Sequence, residues 1–469
     1  MSRRPPPRGR SQAQSQRNRS RRNKPHRSTP IGPPLTLDIT ALGHDGRGIS
    51  KHEGKVVFVA GALPGEQVEA RVVQESSRFS EAQLVEVITP SEQRISPACS
   101  HFGQCGGCQL QHLAAPDQLQ AKQQVVLDQL RRFASLVPEQ LADPITAEAF
   151  GYRARARLGV SFNKLGEVTL GFRRAGDKQL VALVQCPVLQ PSLQAVLAPL
   201  AQWLEQFNAR AVSHVELVAS TPCTLVLRLI RPLAAPALEA LQNLADQNHW
   251  QVFLQPERDN KALTQISGTS VDPRLYYQLA SARTQSSPLR VGYHPTDFTQ
   301  VNPSLNAKMV AQVMDWLALR ANERLWDLFC GVGNFTLPAA QYAASVVGVE
   351  AIEAMVVRCR ENARANQLDN IEFVAADLTQ SSIDRLVQKV GRPDAILLDP
   401  PRDGAREVCE QLGTLKRARI VYVSCNPATF ARDARILVDQ GYRLQRFGVM
   451  EMFPQTSHLE TMALLSKGC

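Results

Sequence analysis

The chain has 469 residues, of which 44% are hydrophobic, and a formal net charge of +10 at pH 7. This length predicts two to four domains, and the apolar content is enough to build sizeable cores without disulfide bonds. No apolar signal region and no run of about 18 apolar residues occurs, which excludes a membrane protein and predicts a cytoplasmic one.

Residues 1–30 carry the whole net charge, with nine arginines, one lysine and no acidic residue. Their Arg, Ser, Gln and Pro composition cannot bury enough apolar surface to order the chain, so we expect a disordered basic tail. Such a tail suits a polyanion such as RNA, because each neutralised phosphate releases counterions. A solubilising extension is the alternative interpretation.

Residues 31–90 alternate short β-rich runs with glycine turns and predict a small OB-like β-barrel. The predicted strands are residues 35–40, 56–59, 67–74 and 82–88. Barrels of this size commonly bind RNA, although the sequence alone is weak support for that function.

A central segment, residues 91–290, begins with a loop rich in cysteine and glycine. Cys99, Cys105 and Cys108 are closely spaced, and Cys186, which precedes a proline, is the candidate fourth ligand. Cysteines of a cytoplasmic protein are thiols, metal ligands or catalysts. Four thiolates suit either zinc or a 4Fe-4S cluster, and their spacing leaves both open.

Two further patterns stand out in the central segment. A helix is predicted over residues 116–133, where Leu119, Val126 and Leu130 recur at helical spacing. Residues 152–158 read Tyr-Arg-Ala-Arg-Ala-Arg-Leu, and the period of a strand would place all three arginines on one face. Guanidinium groups repel one another unless an anion lies across them, so we interpret this face, made by Arg153, Arg155 and Arg157, as a contact for RNA phosphates. A solvated edge strand is the alternative.

From residue 291 to 469 strands alternate with helices, the α/β pattern of a doubly wound parallel sheet. The predicted strands are residues 324–328, 346–349, 371–375, 395–398, 420–423 and 461–465. Ligands bind at the carboxyl ends of such strands, where we therefore expect the functional site.

The first of these strands ends in a glycine turn, Asp-Leu-Phe-Cys-Gly-Val-Gly-Asn, at residues 327–334. A Gly-x-Gly by itself also fits an NAD site, but the third glycine of that motif is missing, and acids follow the next two strands. The turn resembles that of the class I methyltransferases. This resemblance implies that S-adenosylmethionine (SAM) is bound and that its contacts are Gln300, Phe329, Asn334, Glu350, which would grip the ribose, and Asp377, near the adenine.

The fourth and fifth strands carry the chemical motifs, Asp-Pro-Pro-Arg at 399–402 and Ser-Cys-Asn-Pro at 424–427. Enzymes that methylate adenine amines usually end the first motif with an aromatic residue, and cytosine-C5 enzymes carry a cysteine there, whereas this chain has Arg402. A thiolate at Cys425 could add to C6 of uracil and so activate C5 for methylation. The C5 proton must then pass to a base, for which His458 and Glu460 are the candidates. A buried structural cysteine is the alternative.

Together the Asp-Pro-Pro-Arg, Ser-Cys-Asn-Pro and His-x-Glu motifs resemble the RNA uracil-C5 methyltransferase family over residues 95–469. The resemblance implies that Cys425 is the nucleophile, selects Glu460 as the base, and makes Asp399 a carboxylate that holds the uracil or the cofactor. It also implies that the cysteine loop is an iron–sulfur loop, so we expect a 4Fe-4S cluster on the four cysteines.

A barrel combined with a cysteine loop is similar to the longer 23S rRNA members of this family, whose target is position 1939. We therefore expect a class I SAM-dependent methyltransferase domain with an N-terminal OB-like barrel of the TRAM type and a central iron–sulfur α+β domain. The expected function is methylation of C5 of one uridine of 23S rRNA by a monomer that binds no membrane. The alternatives are another rRNA site or tRNA, and a non-catalytic RNA-binding assembly factor.

Overall fold

The computed structural model describes residues 31–256, 262–268, 273–282, 287–379, 382–415 and 418–467. The predicted disordered tail, residues 1–30, lies outside the described residues. No helix in the described ranges is long and apolar enough to cross a bilayer.

The N-terminal domain is a curled sheet of six strands. They are β1 (Ile31–Asp38), β2 (Ala41–Leu42), β3 (Gly48–His52), β4 (Lys55–Ala60), β5 (Gln67–Glu75) and β6 (Phe79–Thr89), in the order β1-β5-β6-β4-β3-β2. The sheet curls until the Ser50 hydroxyl in β3 donates to the Asp38 carbonyl at the end of β1, at 2.8 Å. Alternate apolar side chains fill a separate core inside it. The four predicted strands are confirmed, while the short β2 and β3 were not predicted.

The central domain follows a helix α1 (Ala115–Gln129), which continues as a π-helical turn (Leu130–Ala134), and a short strand β7 (Gln140–Leu141). Its elements are β8 (Arg155–Phe162), β9 (Val168–Arg173), β10 (Leu180–Ala182), α2 (Pro191–Gln194), α3 (Leu197–Gln206), β11 (Val212–Val218), β12 (Cys223–Leu229), α4 (Ala235–Gln247), β13 (Trp250–Pro256) and β14 (Thr264–Gln265). The sheet order is β10-β9-β8-β11-β12-β13-β14, and apolar side chains of α3 and α4 pack on the sheet to form its core.

The remaining elements form the catalytic half of the molecule. They are β15 (Leu275–Leu279), β16 (Leu289–Tyr293), α5 (Pro303–Leu317), β17 (Arg324–Leu328), α6 (Thr336–Ala339), β18 (Ser345–Glu350), α7 (Glu353–Ala365), β19 (Ile371–Ala375), α8 (Ile383–Val390), β20 (Ala395–Leu398), α9 (Arg406–Gln411), β21 (Arg419–Ser424), α10 (Pro427–Asp439), β22 (Tyr442–Met450) and β23 (Glu460–Lys467). The sheet order is β19-β18-β17-β20-β21-β23-β22-β7. The strands from β17 to β21 are parallel, and β23 inserts antiparallel between β21 and β22.

The predicted doubly wound sheet and its six strands are confirmed, although the last of them, β23, runs antiparallel. Four of the parallel strands, β17, β18, β20 and β21, are almost entirely buried apolar runs, as expected for strands that are covered on both faces. Three segments that lie wholly or partly outside residues 291–469 also join this half, namely the α1 segment, β7 and the β15–β16 hairpin. Val126 and Leu130 of the α1 segment pack into one catalytic core cluster, and the β15–β16 hairpin packs into the other. The catalytic half is thus built from separate stretches of chain.

Candidate active site

The candidate site lies at the carboxyl ends of the parallel strands, where ligands bind in doubly wound sheets. After β17 the chain turns through Phe329 and Gly331, whose φ angles are 68° and 57°. The N–H groups of Phe329 and Cys330 donate to the Val349 carbonyl in β18, at 2.9 and 3.0 Å. A bulky residue with φ near 68° is strained, so neighbouring groups hold Phe329 in this turn.

The side chains of Glu350 and Asn334 hold the two ends of this turn by hydrogen bonds. The Glu350 carboxylate accepts from the N–H groups of Gly331 at 3.2 Å and Ile352 at 3.0 Å. The Asn334 side-chain amide exchanges two hydrogen bonds with Asn306 of α5, each at 2.9 Å. Both predicted cofactor residues therefore also fix the shape of the turn.

Asp327 lies beneath the turn and is fully buried. Its Oδ2 accepts from the Thr336 hydroxyl at 2.5 Å, whereas its Oδ1 has no hydrogen-bond partner within the described ranges. Burial raises the pKa of Asp327 to about 7, and the charges of Asp399 and Glu350 contribute in the same direction. A cation bound above the turn would therefore favour the ionised forms of Asp327 and of the neighbouring carboxyl groups.

The other two predicted cofactor residues flank the turn. Asp377 follows β19 and accepts from the N–H and hydroxyl groups of Thr379, at 2.9 and 2.7 Å. Gln300 is half-buried and lies two residues before Asn302, whose side chain caps α5 by accepting from the Leu305 N–H at 3.1 Å. The binding roles of these residues stay predictions.

Cys425 and Glu460 meet at the same edge of the sheet. Cys425 directly follows β21, and Glu460 is the first residue of β23. These two strands pair antiparallel, and their last pair is Ser424 with Thr461, so Cys425 and Glu460 are the next residues on the two chains. Their proximity also shows in the effect of the Glu460 charge on the Cys425 thiol. The insertion of β23 beside β21 therefore brings the predicted nucleophile and base together.

The charges of these two side chains depend on Asp399, at the end of β20, and on Arg402. Burial, and secondly the Asp399 charge, raise the pKa of Glu460 to about 8, while Arg402 opposes them. Burial and then the Glu460 charge raise the pKa of the Cys425 thiol to about 11, again opposed by Arg402. Burial raises the pKa of Asp399 to about 7. Arg402 is thus the cation that favours the thiolate.

The start of α10 holds the backbone at Arg402. The Arg402 carbonyl accepts from the side-chain amide of Asn426 at 3.0 Å and from the Thr429 hydroxyl at 3.2 Å. Asn426 also caps α10, since its side-chain oxygen accepts from the Ala428 N–H at 3.2 Å. Asn426, the residue after the predicted nucleophile, therefore joins the two chemical motifs, a role that the sequence did not indicate.

Helix α1 holds the loop before Glu460, which sequence reasoning missed. The Gln118 side-chain oxygen accepts from the Gln455 N–H at 2.9 Å, and its amide donates to the Gln455 side-chain oxygen at 2.9 Å. The same amide donates to the Leu110 carbonyl at 3.0 Å. A buried glutamine thus ties the cysteine loop, α1 and the loop before β23 together.

Lys122, one turn further along α1, is also buried. Its ammonium pairs with Glu451 at 2.8 Å and donates to the carbonyl groups of Phe453 and His458, at 3.4 and 3.3 Å. Sequence reasoning also missed this buried ion pair. The sequence feature that could have indicated it is the position of Lys122 on the predicted apolar face, three residues after Leu119, because a lysine buried there needs a partner.

The Cys425 side chain faces a cavity of about 360 Å³ that lies between domains. Its walls are α1, residues 425–428, residues 457–459 with the alternative base His458, and the β2–β3 turn of the barrel. Gly46 in that turn packs closely, because a Cβ there would lie 3.1 Å from Gln109 and 3.4 Å from Ser457. The barrel therefore completes the site.

The predicted arginine face is present on β8, which begins at Arg155 and not at Arg153. Arg153, Arg155 and Arg157 alternate with buried residues and so share one side. Arg155, however, is paired with Glu216 of β11 at 3.0 Å. The prediction that all three arginines contact phosphates is therefore wrong for Arg155, because the Glu216 carboxylate already neutralises its charge.

The predicted metal ligands Cys99, Cys105, Cys108 and Cys186 line one cavity of about 270 Å³. Burial, with contributions from the neighbouring thiols, raises the pKa of Cys108 to about 12 and that of Cys186 to about 11. Nowhere in the described part of the chain, however, are three or more His, Cys, Asp or Glu side chains positioned to hold a metal ion. The cluster is therefore not shown and stays a prediction.

Two protein-family models match the chain. Residues 285–468 match the tRNA (Uracil-5-)-methyltransferase family, which spans the parallel sheet and both chemical motifs. Residues 31–85 match the TRAM domain, which corresponds to the N-terminal barrel.

Curated relatives are similar over nearly the whole chain, and three of them carry the name 23S rRNA (uracil(1939)-C(5))-methyltransferase RlmD. The relative from Pseudomonas fluorescens strain Pf-5 is 44% identical and covers 93% of this chain and 94% of its own length. Those from Marinomonas sp. strain MWYL1 and Shewanella baltica strain OS223 are 43% and 41% identical, over 95% and 94% of this chain and 99% and 97% of their own lengths.

A solved structure shares the architecture. The Pyrococcus abyssi tRNA (uracil-54, C5)-methyltransferase, in complex with S-adenosyl-L-homocysteine, gives a TM-score of 0.68 at 22% identity. The match covers 92% of this chain and 100% of that one. At this identity the likeness supports the fold alone.

Proposed function

Because the chain belongs to the RlmD family of 23S rRNA (uracil-C5)-methyltransferases, we propose that it uses SAM to methylate C5 of the uridine at position 1939 of 23S rRNA. Cys425 is the nucleophile and Glu460 the base. The observation that supports these roles is the pairing of β21 with β23, whose last pair, Ser424 and Thr461, directly adjoins Cys425 and Glu460.

Covalent activation is needed because uracil C5 is a poor nucleophile. The Cys425 thiolate adds to C6 and forms a C–S bond, while the electrons of the C5–C6 double bond move toward the C4 carbonyl as an enolate. Arg402 favours the thiolate and lines the same cavity. When bound, SAM would supply the methyl group: C5 would form the new C–C bond as the S–CH3 bond of the sulfonium breaks, and S-adenosylhomocysteine would be the leaving group.

Release of the product depends on a base. After methylation C5 carries both a methyl group and a proton, and Glu460 accepts that proton. A pKa of about 8 makes the ionised Glu460 carboxylate a stronger base than an ordinary glutamate, while the free site holds the side chain mostly protonated near neutral pH. The charges of Arg402 and of the bound cationic donor favour the ionised form that accepts the proton. The C5–C6 double bond then re-forms and expels the Cys425 thiolate. Asp399, beside both groups, holds either the uracil or the cofactor.

The chemistry of the turn after β17 fits SAM. SAM carries a sulfonium and an ammonium group, and the turn is lined by carboxylates, including the unpartnered Oδ1 of Asp327. Cations bound there would be stabilised by these acids. The residues proposed to hold SAM are Gln300, Phe329, Asn334, Glu350 and Asp377.

We also propose that Cys99, Cys105, Cys108 and Cys186 hold a 4Fe-4S cluster. Their common cavity of about 270 Å³ supports this, and four cysteine thiolates are the ligand set of such a cluster. Each thiolate of a cubane cluster binds a different iron, which spreads the sulfurs apart. Its role would be structural, because methyl transfer needs no electrons.

The RNA is proposed to bind between the barrel and the catalytic half. The β2–β3 turn, which lines the Cys425 cavity, supports this, since a base must leave its stack to reach a half-buried thiol inside a cavity. We propose a monomer, which sedimentation equilibrium would test.

Two substitutions test the chemical roles, using a 23S rRNA fragment with radiolabelled SAM. Cys425→Ala should abolish methylation, and Glu460→Gln should accumulate a covalent protein–RNA adduct on a denaturing gel. Cys223→Ala, a half-buried cysteine of the central sheet, is the matched control and should remain active. Full activity of Cys425→Ala would refute the mechanism.

The target is tested in cells that lack the protein. Mapping 5-methyluridine in their RNA should show loss at position 1939 of 23S rRNA alone. Loss in tRNA or at another rRNA position would assign a different substrate. An unchanged pattern would favour a non-catalytic assembly factor.

A further inference from the structure

A basic groove crosses the central domain outside the site described above. One part, of about 740 Å³, lies over β8, β9 and β11 and is lined by Arg157, Arg173, Lys178 and His214. A second part, of about 660 Å³, shares Arg173 and Lys178 with the first and adds Arg174. We call these five residues together the basic groove.

The positive charge of the basic groove is open to solvent. Arg157, Arg173 and Lys178 are exposed, and none of them makes an ion pair within the described residues. The cations crowd one another around His214, whose pKa is lowered by burial and then by Arg157, Arg228 and Arg173. Such crowding is unfavourable unless an anion lies in the groove.

The cations of the basic groove outnumber the carboxylates near it. Glu216 on β11 pairs with Arg155 at 3.0 Å. Asp177, in the turn between β9 and β10, lines the second part of the groove and accepts from the N–H groups of the two residues that follow it. Its single negative charge faces those of Arg157, Arg173, Arg174 and Lys178, so the groove keeps a net positive charge.

The basic groove leads toward the active site. Its end at the cysteine loop is lined by Gln109, whose side-chain oxygen accepts from the Ser457 N–H at 3.3 Å. Ser457 and Gly46 line the cavity that contains Cys425. An extended chain in the groove would thus arrive at that cavity between the barrel and the catalytic half.

We propose that the basic groove binds the phosphate backbone of the rRNA strand that flanks the target uridine, and that it acts on binding and not on methyl transfer. This rests on the proposed function. Guanidinium groups match the geometry of phosphate oxygens, and a row of cations gains affinity through counterion release. Compared with the arginine face expected from the sequence, Arg157 remains, Arg155 drops out, and Arg173 and Lys178 join from the neighbouring hairpin.

The test is a triple variant, Arg157→Gln with Arg173→Gln and Lys178→Gln. Its matched control, Arg385→Gln with Lys389→Gln and Arg392→Gln, removes the same charge at exposed positions on and after α8. Each protein is assayed on a short stem-loop that contains the target uridine and on a longer fragment with both flanks. Fluorescence anisotropy over a salt series gives Kd, and initial rates give kcat and KM.

On the longer fragment, log affinity should fall less steeply with log salt concentration for the triple variant than for the wild type. The magnitude of the slope should be smaller by about two to three. The KM of the triple variant should rise roughly tenfold or more at near-physiological salt, with kcat unchanged. The short stem-loop and the control variant should behave as wild type. A version with Arg157→Lys and Arg173→Lys keeps the charge and should keep the slope, which separates charge from folding.

The proposal would be overturned if the triple variant had the same salt slope and the same KM as the wild type on the longer fragment. The basic groove would then be assigned to an acidic protein surface as its partner. Failure of the proposed function has a different signature, since the wild-type enzyme would then methylate neither RNA. Equal losses on the short and long RNA would also overturn the proposal, because they would place the three cations in the catalytic site.

Discussion

The side chains at the site set one another's charge. Cys425, Asp399 and Glu460 all have raised pKa values because burial favours their neutral forms, and Arg402 opposes this at the first and the last. A cationic methyl donor would add to the effect of Arg402. The thiolate and carboxylate that the reaction needs are therefore favoured when the donor is bound, and the free site is held largely neutral.

Glu460→Gln should stabilise the free enzyme at about pH 8 but much less at about pH 5. The folded pKa of Glu460, about 8, lies above its ordinary value of 4.5, so the protonated carboxyl stabilises the fold at low pH, and that contribution is lost as the pH rises toward 8. Glutamine stays neutral throughout, so the variant should gain roughly 1–3 kcal/mol over this range. Urea unfolding at several pH values measures this, and parallel pH profiles for the two proteins would contradict it.

Gly404→Ala should displace the loop that carries Arg402. Gly404 has a φ of 81°, and a Cβ there would overlap the Asp433 carboxylate and lie 2.6 Å from the Arg432 guanidinium. We expect a loss of about 2–4 kcal/mol in stability and a lower kcat. Gly441→Ala is the matched control, because its φ is 92° but nothing lies within 4 Å. Equal melting temperatures for the two variants would show that the clash is absorbed.

At the level of elements, α1 fixes the position of the loop that precedes β23 at the active site. It packs apolar residues on the catalytic sheet and sends two polar side chains, Gln118 and Lys122, to the loop before β23. Burial lowers the pKa of Lys122 and raises that of Glu451, so for both groups the loss of hydration outweighs their attraction. The pair therefore fixes the position of the loop more than it stabilises the fold.

Lys122→Met should destabilise the protein by roughly 3–5 kcal/mol, because Glu451 would stay buried without its partner. Lys122→Met combined with Glu451→Leu should recover most of that loss. Both variants should keep a reduced kcat, since neither can hold the carbonyl groups of Phe453 and His458. Urea unfolding and methylation assays check this, and full activity of the double variant would limit the pair to a structural role.

For the whole molecule, the site is a junction of domains. The barrel contributes the β2–β3 turn, the catalytic half contributes Cys425, and the cysteine loop lies between them. The cavity of the four cysteines also touches Arg402 and His458. A group bound by the cysteines would therefore stiffen one wall of the active site.

Anaerobically purified protein should be brown, with broad visible absorption and about four irons per chain, if the four cysteines hold the proposed cluster. Cys108→Ser should lose the colour and the iron. Cys223→Ser, which removes a cysteine outside the cavity, should keep both. Colourless protein containing zinc would contradict the cluster and leave a zinc site.

The central strands and the chemical motifs could be predicted from the sequence because their signals are local. Strands such as β17 and β20 are short apolar runs that need no knowledge of their neighbours, and the motifs follow them directly. The strand β22 was missed although it has nine residues. Arg443 and Arg446 interrupt its apolar pattern, and only pairing with β23 and β7 makes it a strand.

The sequence by itself determined the residue types of the site, the fold class and the family, since each depends on short stretches of chain. The tertiary structure decided which residues meet. It brought Cys425 and Glu460 to adjoining ends of two paired strands, sent Lys122 to a carboxylate more than three hundred positions away, and gave Arg155 an internal partner while Arg157 stayed exposed. The physical reason is that pairing register, burial and the neutralisation of charge depend on contacts between distant segments, which no local pattern encodes.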